Sequence, residues 1–177
     1  MRKVTLFIAM SLDGYIADKQ GGVGWLNGQD PTAEMPDTYS AFIQKVDTVV
    51  MGWNTYHQIT TELSPDKWVY EGLQSYVITH KEMSPTPHVI FTSQAPDELI
   101  RKLKQEDGKN IWICGGAAVA QALLKQNLID IFHISIIPVI LGSSIRLFDE
   151  MPTSVELKLT GTQNYNGITE VIYEHRQ

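Results

Sequence analysis

The sequence predicts an α/β fold: a mostly parallel sheet flanked by helices and finished by an antiparallel hairpin at the C-terminal end. Three observations carry this. Short apolar segments alternate with helix-forming ones along most of the chain, and three of the apolar segments run directly into glycine-containing turns. Near the end, Asn166-Gly167 joins two alternating segments, a strong signal for a tight hairpin.

The elements follow in order. Lys3 to Ala9 is apolar nearly throughout and reads as a buried strand. Ser11 to Asp37 is long and aperiodic, with Gly14, Gly21, Gly22, Gly24 and Gly28, and loops of this length are usually functional or disordered. Asp37 is placed to cap a helix over Thr38 to Val46, with Phe42, Ile43 and Val46 inward. Thr48 to Met51 is a short buried strand, and Gly52 opens a helix near Asn54 to Ile59. Ser75 to Thr79 and His88 to Thr92 are further strands. Pro96 starts a helix in its first turn, with Asp97 and Glu98 favouring the dipole and Leu99, Ile100 and Leu103 facing in. Ile111 to Cys114 is a strand, Ala117 to Lys125 a helix, and Ile129 to Ile137 a strand. Val155 to Gln163 alternates, and after Asn166-Gly167 the chain returns over Thr169 to Glu174.

Composition narrows the function. One domain over residues 1–177 is expected from a chain of this length, which can bury its own core. Fourteen Lys and Arg against twenty Asp and Glu give a net charge of −6, with no basic stripe, which speaks against nucleic acid. No segment is long and apolar enough for a membrane span, and the short run after Met1-Arg-Lys3 lacks a signal-cleavage pattern. A single cysteine, Cys114, fits a reducing cytoplasm and reads as a small buried hydrophobe. The five histidines are scattered, so no metal site is expected, and neither a nucleophile elbow nor a Gly-Lys phosphate loop is present.

The turn Gly115-Gly116 leaves no side chain where a strand becomes a helix. Such a bare helix N-terminus presents free N–H donors and suits a nucleotide phosphate, although two glycines alone fit a tight structural turn equally well. Ser11-Leu-Asp-Gly14 and Met51-Gly52 supply comparable turns, and three at one sheet edge argue for a shared crevice.

Four segments in order, Ala9-Met-Ser-Leu-Asp-Gly-Tyr-Ile-Ala17, Val50-Met-Gly-Trp-Asn-Thr-Tyr56, Ile113-Cys-Gly-Gly-Ala117 and Ile137-Pro-Val-Ile-Leu-Gly142 leading to Leu147-Phe148, resemble the dihydrofolate reductase superfamily. Within it, nearly the whole chain is similar to the C-terminal reductase domain of the bifunctional riboflavin biosynthesis deaminase-reductase. The resemblance implies a three-layer dihydrofolate reductase-like fold, NADPH as hydride donor, a small-molecule substrate and a homodimer. It implies that Gly115 and Gly116, joined by a cis peptide, take the cofactor pyrophosphate, with Ala117 and Ala118 starting the helix beneath it. Gly52 and Thr55 would lie along the adenosine, and Thr79, His80 and Lys81 near the ribose 2′-phosphate. Ala9 and Met10 would line the nicotinamide, and Ile16 would cover it. Many relatives carry an arginine after Met-Gly to grip the 2′-phosphate; this chain has Trp53, and Lys81 is the alternative source of charge.

Reduction of a C=N or C=O bond calls for a positioned acid. Asp13 and Asp30 are the candidates; Asp13 also fits a turn residue bonding backbone N–H groups, and Asp30 a solvated loop residue, while Glu34 and Asp37 compete. The expected activity is NADPH-dependent reduction of a small heteroaromatic or pterin-like compound. The alternatives are 5-amino-6-(5-phosphoribosylamino)uracil reduction, for which Arg146 is a nearly solitary cation, and a non-catalytic nucleotide-binding module.

Overall fold

The computed structural model describes residues 1–176. The strands are β1 (Val4–Ser11), β2 (Tyr15–Ala17), β3 (Val46–Gly52), β4 (Gln74–Ile78), β5 (Val89–Thr92), β6 (Asn110–Gly115), β7 (Ile131–Ile137), β8 (Ile145–Arg146), β9 (Leu157–Tyr165) and β10 (Ile168–His175). The α-helices are α1 (Thr38–Ile43), α2 (Trp53–Gln58), α3 (Pro96–Leu103) and α4 (Ala117–Lys125), and a π-helical turn, Ile59–Leu63, extends α2.

Eight strands form one sheet in the order β5-β4-β3-β6-β1-β7-β10-β9. Pairing is parallel from β5 to β7 and antiparallel for β7–β10 and β10–β9, so the expected hairpin forms one edge. Strand alternation divides the core into two layers around the sheet. Val4, Leu6, Ile111, Ile113 and Phe132 pack with Leu99, Ile100 and Leu103 of α3 and with Val119 and Leu123 of α4. On the opposite face Val49, Met51, Val77 and Trp112 pack with Phe42 of α1, and Trp53 and Tyr56 of α2 lie against them. Each large apolar side chain removed from water contributes roughly 1.5–3 kcal/mol.

Local differences from the sequence expectation have physical causes. The helix after Asp37 ends at Ile43, not Val46, because Val46 pairs with Asn110 and opens β3. Strand pairing outweighs helix propensity for a β-branched residue at that point. The helix expected near Asn54 begins at Trp53 and widens into the π-helical turn, closed by Ser64 N–H donating to Ile59 C=O at 2.8 Å. Ile129 precedes β7, and its carbonyl is occupied by His175 Nε2 at 2.7 Å. β9 starts at Leu157, two residues later than expected.

One buried charge, Arg2, lies at the ends of the strands remote from the glycine turns. Arg2, 6% exposed, bonds Asp47, Thr48 Oγ1 and the Lys109 carbonyl, and Lys104 pairs with Asp130 at 2.7 Å. These contacts tie the starts of β1, β3 and β6 together and leave the opposite edge to its loops.

Candidate active site

The glycine turns meet at the carboxyl ends of the parallel strands. Gly115, at φ +133°, and Gly116 link β6 to α4, and the peptide between them is cis. A Cβ built on Gly116 would lie 3.4 Å from Thr55 Oγ1, and one on Gly115 3.6 Å from the same oxygen. A Cβ on Gly52 would lie 3.4 Å from Val119 Cγ2 and 3.8 Å from Gly116 N. Gly52, Thr55, Gly115 and Gly116, separated by about sixty residues in sequence, therefore form one cluster. Gly116 is the N-cap of α4 and supplies no side-chain cap, so the first N–H groups of the helix, from Ala117 and Ala118 onward, are left for a ligand or solvent.

Beside this cluster stand the residues after β4. Thr79 is buried, and its hydroxyl accepts from Lys81 N–H at 3.1 Å. The Lys81 ammonium lies over the Trp53 ring at 4.2 Å from the centroid, and Trp53 stacks on His57 at 5.5 Å. His80 is exposed.

The loop after β1 is held to the loop after β7. Leu12 N–H donates to Val139 C=O at 2.9 Å, and Leu147 N–H to Gly14 C=O at 2.9 Å. Asp13 accepts from Ser11 Oγ at 2.6 Å, Leu141 N–H at 3.1 Å and Gly142 N–H at 2.8 Å. These hydrogen bonds, the one from Ser11 largest, hold its carboxyl down at about 2. β2 then pairs with β8 in a small antiparallel sheet that sequence reading missed, since strands of three and two residues carry no periodicity. Met10 and Ile16 both pack toward the α3–α4 side, while Ala9, in register with Ser135, faces the α1 side.

Asp30 lies far along the same loop. It is exposed, its carboxylate accepts from Thr32 Oγ1 and N–H, and those bonds lower its pKa. Asn166 in the hairpin turn grips its backbone at both ends: Asp30 N–H donates to Asn166 Oδ1 and Asn166 Nδ2 to Asp30 C=O, each at 2.8 Å. On the other side Gln58 Nε2 donates to Gly21 C=O at 2.9 Å. The loop is thus a strap fixed to α2 at one point and to the β9–β10 turn at another. The structure separates Asp13 and Asp30 into these two different settings. Asp37 caps α1 through Ser40 N–H at 2.9 Å. Burial pushes the Cys114 thiol up to about 11, and its sulfur lies 3.7 Å from the Tyr70 hydroxyl.

One acidic residue escaped the sequence reading. Glu170 is 2% exposed and accepts from Tyr165 OH, Gln163 Nε2 (2.6 Å), Thr38 Oγ1 (3.0 Å), His133 Nε2 (3.2 Å) and Ser135 Oγ (3.2 Å). Burial alone would raise its pKa, but the bonds from Tyr165, Gln163, His133 and Thr38 together bring it below the ordinary value. The available signal was alternation, which puts Glu170 on the inward face with Ile168. A cavity of about 510 Å³ lies in front of it, beneath α1. Among the described residues no group of His, Cys, Asp and Glu is placed to hold a metal ion, and no helix is long and apolar enough to cross a membrane.

This sheet order, with a glycine turn between β6 and α4, defines a dihydrofolate reductase-like fold. The dihydrofolate reductase of Enterococcus faecalis superposes with a TM-score of 0.64 at 16% identity, over 99% of this chain and 97% of that one. More specifically, the RibD C-terminal domain family matches residues 2–169, and the chain belongs to that family. It is similar to the uncharacterized protein YwjB of Bacillus subtilis, 39% identical over 173 residues and 97% of each chain. A solved structure from Shewanella sp. PV-4, named for riboflavin biosynthesis, superposes with a TM-score of 0.83 at 30% identity, covering 100% of both chains.

Proposed function

We propose that the protein is an NADPH-dependent reductase of a small heteroaromatic or pterin-like substrate. The observation that carries this is the convergence of Gly52, Thr55, Gly115 and Gly116 on one bare turn at the head of α4. Side chains are withheld where a pyrophosphate would lie, and uncapped N–H groups point there, so the residues present fit a dinucleotide. The Enterococcus enzyme that shares the fold is complexed with NADP(H).

In this reading Gly115, Gly116, Ala117 and Ala118 hold the pyrophosphate, Gly52 and Thr55 border the adenosine, and Thr79, His80 and Lys81 receive the 2′-phosphate. Ala9 and Met10 line the nicotinamide, with Ile16 over it from β2. Bound there, NADPH supplies a hydride. Asp13 acts as the clamp between two loops, because its lone pairs are engaged and its carboxyl is ionised at neutral pH. Asp30, exposed and bonded to Thr32, serves the loop tip. No carboxylic acid is assigned to deliver the proton.

A second reading, reduction of 5-amino-6-(5-phosphoribosylamino)uracil, draws on the RibD family itself and on Arg146, exposed above the Tyr15 ring at 5.0 Å. Arg146 offers a contact for the substrate phosphate.

Titration with NADPH, followed by NADPH consumption against a panel of pterins and aminouracils, tests the proposal. Saturable binding with consumption supports the reductase. Binding without consumption points to a nucleotide-binding module, and no binding at millimolar NADPH overturns both.

A further inference from the structure

We propose that Gln121 is a positioning residue that passes the seating of a phosphate group at the head of α4 to the small β2–β8 sheet, and so fixes Ile16 at the crevice. The identity of the phosphate-bearing ligand rests on the reductase reading above; the tether between α4 and β8 does not.

Gln121 follows Ala117 by four residues on α4, so the two share one helix face, about 6 Å apart along the axis. Ala117 stands at the head of the helix, beside the Gly115-Gly116 turn. The Gln121 side chain donates from Nε2 to two successive carbonyls, Arg146 at 3.1 Å and Leu147 at 3.3 Å. Both partners are oxygens that only accept, so the amide must present its nitrogen to them. Leu147 is fully buried in the layer that α3 and α4 cover, and its own N–H donates to Gly14 C=O at 2.9 Å. One residue is thereby held by α4 at its carbonyl and by the β1–β2 loop at its amide.

The sheet it closes has little strength of its own. β2 and β8 pair at Tyr15–Arg146 and Ala17–Ile145 with an irregular register, and a lone two-stranded sheet is marginal in water. Ile145 and Arg146 are both exposed. The position of β2 is therefore set by what β8 and the β1–β2 loop are tied to. Asp13 ties that loop to the Leu141 and Gly142 amides, which belong neither to the glycine turn nor to α4. Gln121 reaches the sheet from the helix that opens at Gly116.

These contacts run in one direction. A phosphate drawn to the uncapped N–H groups of Ala117 and Ala118 orders the first turn of α4, which Ala120 N–H closes on Gly116 C=O at 3.2 Å. Gln121 is the next residue, and an ordered turn fixes its amide on the two carbonyls. β8 then holds Gly14 through Leu147, and Tyr15 and Ile16 follow directly in the chain. Tyr15 N–H donates to Ser11 Oγ at 2.9 Å, which gives a second amide that reports the position of β2. The coupling is reciprocal: a sheet held in place by Gln121 strengthens phosphate binding by the factor that the phosphate strengthens the sheet.

The test is amide hydrogen exchange, read by NMR at Leu147 and Tyr15, with Asp130 N–H at the far end of the sheet as control. NADPH and 2′-phospho-ADP-ribose, which carries the phosphates without the nicotinamide, are added in separate experiments. In the parent protein both ligands should slow Leu147 and Tyr15 about tenfold and leave Asp130 unchanged. Gln121→Met keeps the length and helix propensity of the side chain and loses both donors. It should abolish the slowing by 2′-phospho-ADP-ribose and weaken the binding of that ligand by the same factor. Gln121→Lys, which retains a donor, should restore part of both. Undiminished slowing in folded Gln121→Met would make Gln121 a purely structural tether and overturn the coupling. Slowing by NADPH alone in the parent protein would also overturn it, because Ile16 would then respond to direct contact. If neither ligand binds at millimolar concentration, the reductase reading falls and the coupling with it, while faster Leu147 exchange in ligand-free Gln121→Met still establishes the tether.

Discussion

The Lys81 ammonium sits over the Trp53 ring, 4.2 Å from its centroid. Trp53 directly follows Gly52, and it acts as a platform for a cation supplied by another strand end. A phosphate near this pair meets a charge held by ring attraction, not by a competing carboxylate. Lys81→Ala should therefore narrow the NADPH-to-NADH affinity ratio by about tenfold, since a charge-assisted hydrogen bond is worth roughly 1.5–3 kcal/mol. Trp53→Ala should narrow it less, by roughly the 0.5–1 kcal/mol of an exposed cation–π contact. Binding constants for both cofactors in both variants check this, and an unchanged ratio in Lys81→Ala removes Lys81 from the site.

Asp13 provides a pH signature. Its folded carboxyl titrates near 2 against an ordinary 3.8, so its contribution is present above the ordinary value and is lost as pH falls through the folded one. Asp13→Asn should speed hydrogen exchange at the Leu141 and Gly142 amides at neutral pH. That difference from the parent protein should shrink between pH 4 and pH 2, where the parent also loses the charge. Equal exchange at neutral pH would show that Asp13 does not hold the two loops together.

How much of this was legible in the sequence depends on the range of the interactions. Buried parallel strands such as Val49–Met51 and Ile111–Ile113 are apolar runs, and the turn Gly115-Gly116 is visible because both of its residues lack side chains. From these signals and the resemblance they carried came the mostly parallel sheet and its closing hairpin, but not the order of the strands. The Glu170 cluster was not legible, because its five donors come from α1, β7 and β9, up to 132 residues away. Neither was the pairing of Lys81 with Trp53, which depends on how α2 packs beside the end of β4.

The strap offers a separable test. Asn166 makes two hydrogen bonds to Asp30 and sits at φ +46°, a conformation asparagine tolerates better than alanine does. Asn166→Ala should cost about 1–2 kcal/mol in urea unfolding, from the two lost bonds and the backbone. It should also make the segment around Gly28–Asp30 more sensitive to protease. Gly28→Ala should have the same local effect, because its Cβ would collide with the Asn166 side-chain amide and carbonyl. Resistance to protease in both variants would show that the strap is held elsewhere.

The hairpin also bears on assembly. Among the described residues β9 pairs with β10 alone, so one of the two edges of the sheet belongs to the C-terminal hairpin, and this surface is the candidate for a dimer contact. An edge of nine residues with Leu159 49% exposed can pair with a second copy. Light scattering should return about twice 19.9 kDa, and Leu159→Lys should shift it toward the monomer. A monomer mass for the parent protein at micromolar concentration would remove the homodimer.

Gly116 gives the most direct test of the cofactor turn, and the structure says why it is better than Gly115. Gly115 has φ +133°, where any side chain strains the backbone, so its substitution confuses folding with binding. Gly116 has φ −81°, and a Cβ there meets only Thr55 Oγ1, at 3.4 Å. Gly116→Ala should thus leave the melting temperature within a few degrees of the parent protein. The methyl group would stand beside the first N–H groups of α4, where a pyrophosphate must approach closely. NADPH affinity should fall at least tenfold, which is about 1.4 kcal/mol, and the larger Gly116→Val should abolish it. Calorimetry run beside thermal unfolding separates the two roles of this turn. Full affinity in a folded Gly116→Ala protein would make the turn a structural one and would leave the reductase reading without its principal support.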